Sequence, residues 1–345
     1  MVRSSVVVLV LSTAALGCGD HASGSNDVDA GADTAEQGSD APPAIDAPTP
    51  DAAPTPDTPH LVASNVYQCA INATDLICFT STDILNGGSI WTAPKAGGAQ
   101  TTIVQHTARP IRIAANATGF VTLSGHLDVT HLDIDGTNPT LLAPSASMDV
   151  YNSPIAMVGN DVYFVSGAGG GPKVYDFDVT NTHNLWSDLD STDPTGNLAS
   201  DGTAIFYSKS HQIHSPGLPT VTTDLQGLDE ILSLSADHDA FYITARATIG
   251  IGSNQFNVIY RVSRTDGSTT ALASAPLQTY KWAEVVAGAD SVYWTSRDAA
   301  LSAVSKQGGA VTVIDAGTLP ELQIFADDTY VWWINDNNEL YRLAQ

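Results

Sequence analysis

Apolar residues in this chain fall in short runs, each following a turn and each closed by a large side chain. The closing residues are Phe79 in D-L-I-C-F, Val121 in T-G-F-V, Phe164 in N-D-V-Y-F, Tyr207 in T-A-I-F-Y, Tyr242 in D-A-F-Y, Trp294 in D-S-V-Y-W and Trp333 in T-Y-V-W-W. They recur about every 42 residues, with intervals from about 35 to about 52, and a period near 40 made of short strands predicts a propeller blade. No stretch beyond residue 59 sustains a helical period between caps.

Each unit reads as four strands. Strand A precedes the turn, as in 111–114, 155–158 and 231–234. Strand B is the closing run. Strand C is a phrase such as Ile90-Trp91-Thr92-Ala93 or Leu340-Tyr341-Arg342-Leu343. A turn follows, Lys95-Ala96-Gly97-Gly98 or Asp266-Gly267, and then strand D, as in Leu141-Leu142-Ala143. The last unit supplies strands A to C and the sequence stops at Gln345. His60-Leu61-Val62-Ala63-Ser64 matches the strand D phrase Thr270-Ala271-Leu272-Ala273-Ser274. The chain is therefore expected to be an all-β, seven-bladed β-propeller over 60–345, closed by an N-terminal strand that completes the last blade. Six blades is the alternative, because the Val121 copy is weak and the intervals are uneven.

Val292-Tyr293-Trp294-Thr295-Ser296 resembles the strand B motif of YWTD-type propellers, with Ser296 where that motif has Asp. With Tyr260-Arg261-Val262 and the Gly-Gly turns, the wider phrase is similar to TolB-like propellers and to bacterial lipoproteins built from the same blade. The resemblance covers 60–345 and implies the fold. It implies no activity, since propellers host both binders and enzymes.

The first 59 residues change the picture. Arg3, the apolar run 6–11 and a small-residue stretch to Gly17 read as an export signal. Ala15-Leu16-Gly17-Cys18 resembles the bacterial lipobox, which implies lipidation at Cys18 and a signal peptide over 1–18. Residues 19–59 hold nine acids, no Lys or Arg and seven of the chain's 18 prolines. Such a segment buries too little apolar surface to offset its ordering entropy, and proline and like charges keep it extended. It reads as a disordered linker. The chain would then be exported and anchored to a bacterial membrane through its lipid, the outer membrane or cell surface being favoured over the inner membrane.

Acids outnumber bases 37 to 13, for a formal charge of -24. That balance excludes nucleic acid as a partner, which needs Lys and Arg facing phosphate. Only five of the acids are Glu, and Asp suits turns. A turn centred on Ala73-Thr74 sets Cys69 directly opposite Cys78, where an exported protein forms a disulfide worth about 2–3 kcal/mol. Asn72-Ala73-Thr74 and Asn116-Ala117-Thr118 match the glycosylation sequon, yet fall in A to B turns where Asn serves turn chemistry.

Asp188, Asp190 and Asp193, in D-L-D-S-T-D-P-T-G, are the best candidates for a hard cation such as calcium. Asp133-Ile134-Asp135-Gly136 fits a C to D turn better than a calcium loop. His211-x-x-His214 and Asp237-His238-Asp239 lack a third partner at a metal-binding spacing. No nucleophile elbow, zinc-protease or phosphate-loop motif occurs, and no cofactor is expected.

The B to C and D to A loops of a propeller share one face. That face would collect Asp83, Asn86, Lys173, Asp190, Asp193, Arg246, Tyr280, Trp282, Arg297, Asp298 and Asp336 as ligand candidates. The longest loop, 246–257, reads as an extended hairpin or a contact element. The leading expectation is a monomeric, non-enzymatic propeller that binds a polar ligand or an envelope protein, or serves as a scaffold. The alternatives are a carboxylate-dependent hydrolase or lyase acting on a sugar or ester at that face, and a structural envelope component.

Overall fold

Runs rich in Val, Ile, Tyr, Phe and Trp between Gly, Asp and Asn turns favour strands, and every regular element among the described residues is one. The computed structural model describes residues 58–81, 87–108, 110–124, 128–143, 154–166, 173–179, 183–188, 197–209, 211–223, 225, 228–248, 255–276, 284–295, 300–316 and 323–345. They belong to one unit, Thr55–Gln345. Among them no helix is long and apolar enough to cross a membrane.

Among the described residues the first strand is β1 (His60–Ala63). Blade 1 is β2 (Val66–Ile71), β3 (Asp75–Thr80), β4 (Gly88–Pro94) and β5 (Thr101–Thr107). Blade 2 is β6 (Pro110–Ala115), β7 (Gly119–Ser124), β8 (Val129–Asp133) and β9 (Thr140–Ala143). Blade 3 is β10 (Ile155–Val158), β11 (Asp161–Ser166), β12 (Lys173–Asp178) and β13 (His183–Asp188). Blade 4 is β14 (Leu198–Ser200), β15 (Ile205–Lys209), β16 (Gln212–His214) and β17 (Val221–Thr222). Blade 5 is β18 (Leu228–Ala236), β19 (Ala240–Thr248), β20 (Gln255–Ser263) and β21 (Thr269–Pro276). Blade 6 is β22 (Val285–Ala287), β23 (Ser291–Thr295), β24 (Leu301–Ser305) and β25 (Thr312–Asp315). Blade 7 is β26 (Gln323–Ala326), β27 (Tyr330–Ile334) and β28 (Leu340–Ala344), and β1 is its fourth strand.

The fold is thus a seven-bladed β-propeller of antiparallel four-stranded sheets. The inner strands touch in the order β2, β6, β10, β14, β18, β22 and β26, and β26 returns to β2, so the ring closes. β1 pairs antiparallel with β28, His60 opposite Arg342 and Ala63 opposite Leu340. Six blades is ruled out by this count.

Each seam between neighbouring blades has its own apolar cluster. Phe206 of blade 4 meets Phe241 of blade 5, and Trp294 of blade 6 meets Tyr242 of blade 5. The last seam joins Trp332 of blade 7 to Trp91 and the Cys69–Cys78 pair of blade 1. The uneven intervals come from strand length. Blade 5 has strands of eight or nine residues, whereas β14 and β17 of blade 4 have three and two.

The seven closing residues do not all occupy one structural position. Counting from the A to B turn, Phe164, Tyr207, Trp294 and Trp333 are equivalent and pack on the preceding blade. Their equivalents in blades 1, 2 and 5 are Cys78, Thr122 and Ile243. Phe79, Val121 and Tyr242 are one residue out of phase and face the following blade instead. Strand side chains alternate with period two, so a slip of one exchanges the faces.

One end of the ring is built of tight turns. Asn72, Asn116, Asp201, Asp237 and Asp327 each accept, through Oδ1, the backbone N–H groups two and three residues on. These are Asx turns, which stand in for a missing backbone partner. Cations from the C to D turn of the next blade then tie the turns together: Arg264 to Asp201, Lys306 to Asp237 and Lys95 to Asp327. Burial pushes the Asp201 carboxyl up, but Arg264 and Thr203 outweigh it and hold it at about 2.

Gly267 in the blade 5 turn has φ +73°, and a Cβ there would lie 2.1 Å from the Thr222 carbonyl oxygen of blade 4. Gly202 has φ +84° with open space around it. Gly202→Ala is therefore expected to cost about 1 kcal/mol of backbone strain. Gly267→Ala should cost about 2 kcal/mol or more, because the turn must also move off β17. Urea midpoints of the two variants measure the difference, and equal midpoints would refute the close seam.

Candidate functional site

An inner strand pairs on one side only, so its other edge presents N–H and C=O groups to the axis. Each inner strand places one residue four positions before its turn. These residues are Gln68, Arg112, Pro154, Asn197, Ser233, Glu284 and Gln323. Six of the seven are polar. The residue after each is apolar and packs back on the preceding blade: Cys69, Ile113, Ile155, Leu198, Leu234, Val285 and Ile324. Alternation then turns the polar residue towards the following blade.

From blade 4 onward these side chains satisfy the next strand's free edge. Asn197 Nδ2 donates to Ile231 O at 2.9 Å. Ser233 Oγ accepts from Val285 N, and Ser235 Oγ from Ala287 N, both at 3.0 Å. Glu284 Oε2 accepts from Ile324 N at 3.1 Å. Gln323 Oε1 accepts from Cys69 N at 2.9 Å while its Nε2 donates to Cys69 O at 2.8 Å. Cys69 is disulfide-bonded to Cys78 directly opposite, with Cα atoms 4.1 Å apart. That approach marks a non-hydrogen-bonded pair, which leaves both Cys69 backbone groups for Gln323.

The sequence of rungs changes at blade 1. Gln68 is 9% exposed and its Oε1 has no hydrogen-bond partner. Arg112 Nη1 donates to its own neighbour, Ile111 O, at 3.2 Å, and its charge acts on Glu284, on the far side of the ring. Burial raises the Glu284 carboxyl above the usual range, while Arg112 and the Ile324 amide draw it down. Glu284 is densely surrounded yet still reached by solvent. These residues lie at the strand ends where the B to C and D to A connections meet the ring.

Of the expected loop residues, Asp336 lies exposed in the turn between β27 and β28. Lys173 opens β12 opposite Ser166 and Asp188, and Asp188 ends β13, so both are strand residues rather than loop residues. Arg246 is likewise within a ladder, opposite Asn257, because β19 and β20 continue pairing to Thr248 and Gln255. Residues 246–248 and 255–257 of the stretch read as the longest loop are therefore paired strand. Cys18, Asp83, Asn86, Asp190, Asp193, Tyr280, Trp282, Arg297 and Asp298 lie outside the described residues. Among the described residues no group of three or more His, Cys, Asp or Glu converges as metal ligands. His214 instead stacks on Tyr207, ring centroids 5.0 Å apart. Asp135 folds its carboxylate onto Thr137 within a turn.

A second polar locus, missed from sequence, lies in blade 3 on the face turned to blade 4. Asp161 stands opposite Asp178, and Tyr163 opposite Asp176. Burial, then Asp161 and Asp178, pushes Asp176 up to about 6. Burial, then Asp176 and Asp161, pushes Tyr163 to about 12.

No family model and no curated protein sequence matches the chain. Several solved structures are similar. A catalytically inactive virginiamycin B lyase from Staphylococcus aureus, with quinupristin, aligns over 82% of this chain and 95% of that one, with a TM-score of 0.57 and 10% identity. YCF48 bound to D1 peptide aligns over 86% and 99%, with a TM-score of 0.55 and 10% identity. YCF48 from Cyanidioschyzon merolae aligns over 83% and 98%, with a TM-score of 0.55 and 9% identity. At such identities the likeness is one of architecture.

Gln323→Ala removes both partners of the buried Cys69 backbone and should cost about 1–3 kcal/mol, read from the urea midpoint. Asp176 gives a pH signature. Its folded form holds a proton up to about pH 6, whereas an unfolded Asp releases it near about 4. The folded state binds more protons in that window, so this contribution to stability falls as pH rises from about 4 to about 6 and stays lost above. Asp176→Asn should therefore raise the melting temperature at pH 7.5 and leave it little changed at pH 4. Parallel melting curves across that range for both proteins would contradict the cluster.

Proposed function

We propose that the chain is a non-enzymatic binding propeller, displayed on a bacterial envelope by a lipid at Cys18 and a linker over 19–59. It takes a protein segment or polar ligand at the end of the ring opposite the Asx turns. The observation that carries this reading is the asymmetry between the two ends. One end is short turns tied by ion pairs. The connections 144–154, 189–197 and 277–284, by contrast, all join an outer strand to the next inner strand at the other end. Rigid blades with variable connections gathered at one face are how a scaffold displays a binding surface.

The solved likenesses support the same reading, since the YCF48 structure holds a D1 peptide and the lyase structure holds quinupristin. So does the blade phrase around Trp294, with its resemblance to YWTD-type and TolB-like propellers. The polar hub under this face, with Arg112 and Glu284 on opposite sides, supplies charge complementarity for a polar partner.

A photo-crosslinking residue at Asp336, on the proposed face, should yield protein adducts in native envelopes. The same residue at Thr74, in an Asx turn at the other end, should yield none. Equal adducts from both ends, or none from Asp336, would sink the reading. Turnover of an added ester or glycoside that Glu284→Gln abolishes would select the hydrolytic alternative instead. Cys18→Ser should move the chain from the membrane fraction to the soluble fraction, and retention in the membrane would refute the lipid anchor.

A further inference from the structure

We propose that the hub beneath this face is a carboxylate-binding site, in which Arg112 and Gln68 receive a carboxylate and its neighbouring amide from the partner. The inference rests on the binding reading above and names the chemistry that the hub selects. Its starting point is the break in the rungs. At four consecutive seams, from blade 4 round to blade 1, the hub side chain is used up on the next strand's edge. Gln68 and Arg112 occupy the same position in blades 1 and 2, yet neither makes such a rung among the described residues.

Gln68 is nine-tenths buried with an unpartnered Oε1. Buried side-chain amides are almost always satisfied, and leaving one bare is costly, so this atom points to a missing donor. Gln68 belongs to the β2 face turned to blade 2: its cross-strand partner Phe79 packs on Ile113 and Phe120. Arg112 lies on the neighbouring inner strand. A guanidinium carries five N–H donors in a planar fork, and Arg112 commits Nη1 to the Ile111 carbonyl. The remaining donors match a carboxylate, which accepts two parallel hydrogen bonds from such a fork.

The opposing charge does not fill that role. Glu284 acts on Arg112 through space, from a blade on the far side, and its Oε2 is committed to the Ile324 amide. Together the groups call for an acceptor pair at Arg112 and one N–H donor at Gln68 Oε1. An acylated amino acid carries both within a few bonds, either at a peptide's C-terminal end or in an Asp side chain with its backbone amide.

Three probes test this on the full chain by calorimetric titration: N-acetylglycine for a chain end, N-acetyl-aspartic acid α-amide for a side chain, and N-acetyl-asparagine α-amide as the neutral isostere. The formal charge of -24 repels anions at range, so titrations are run at about 0.15 M salt, where the Debye length is about 8 Å. One of the two carboxylates should bind with a Kd near about 1 mM and the neutral isostere at least tenfold more weakly. Which carboxylate binds identifies the source. Arg112→Gln should weaken it at least tenfold and Gln68→Leu severalfold. Should Arg112→Gln fail to fold, Gln68→Glu places a like charge at the site and should abolish binding. Equal binding of the neutral isostere, unchanged binding by Arg112→Gln or by Gln68→Glu, or no saturation by about 50 mM would each overturn the site. If Asp336 adducts form while the carboxylates do not bind, the binding face stands and only its carboxylate chemistry fails.

Discussion

The unpaired edge of an inner strand is the constraint this ring must meet seven times. A strand at the axis has no neighbour on its open side, and its backbone groups are too costly to bury unsatisfied. The chain meets the requirement with one two-residue device. An apolar residue packs back on the preceding blade while the polar residue before it reaches forward to the next strand's edge. Glu284 followed by Val285, and Gln323 followed by Ile324, are the clearest copies. Because each rung joins neighbouring blades, hub polarity and seam packing reinforce one another. The departures at Gln68, Arg112 and Pro154 are confined to blades 1 to 3.

The architecture was legible because blade mechanics repeat. The period of the closing residues, and the match of 60–64 to a strand D phrase, lead to seven blades with β1 completing the last. The hub was not legible from the same marks. Large aromatic residues are read by size, and Phe79, Val121 and Tyr242 sit one place out of phase with Phe164 and Trp333. With a period of two, that error mixes the two faces, and a consistent hub position cannot emerge from mixed faces. A better ruler was present. Asn72, Asn116, Asp201, Asp237 and Asp327 hold one turn position, and counting back four residues from each gives Gln68, Arg112, Asn197, Ser233 and Gln323.

The carboxylates of blade 3 escaped notice for a different reason. Asp161, Asp176 and Asp178 are separated in sequence by a hairpin, and only the register of β11 against β12 sets them on one face. Sequence spacing shows which residues share a strand. It does not show which stand opposite across a connection of unknown length. The same limit made Lys173 and Arg246 look like loop residues when strand pairing runs further than their composition suggests.

The closing strand β1 also sets a direction. It runs antiparallel to β28, so His60 lies towards the end of the ring that carries the Asx turns and Ala63 towards the other. Residues 58 and 59 therefore join the ring at the turn end. The closing strand is thus entered at the same end of the ring that Lys95, Arg264 and Lys306 tie together. The opposite end, with the hub beneath it, is where Ala63 hands the chain on to blade 1.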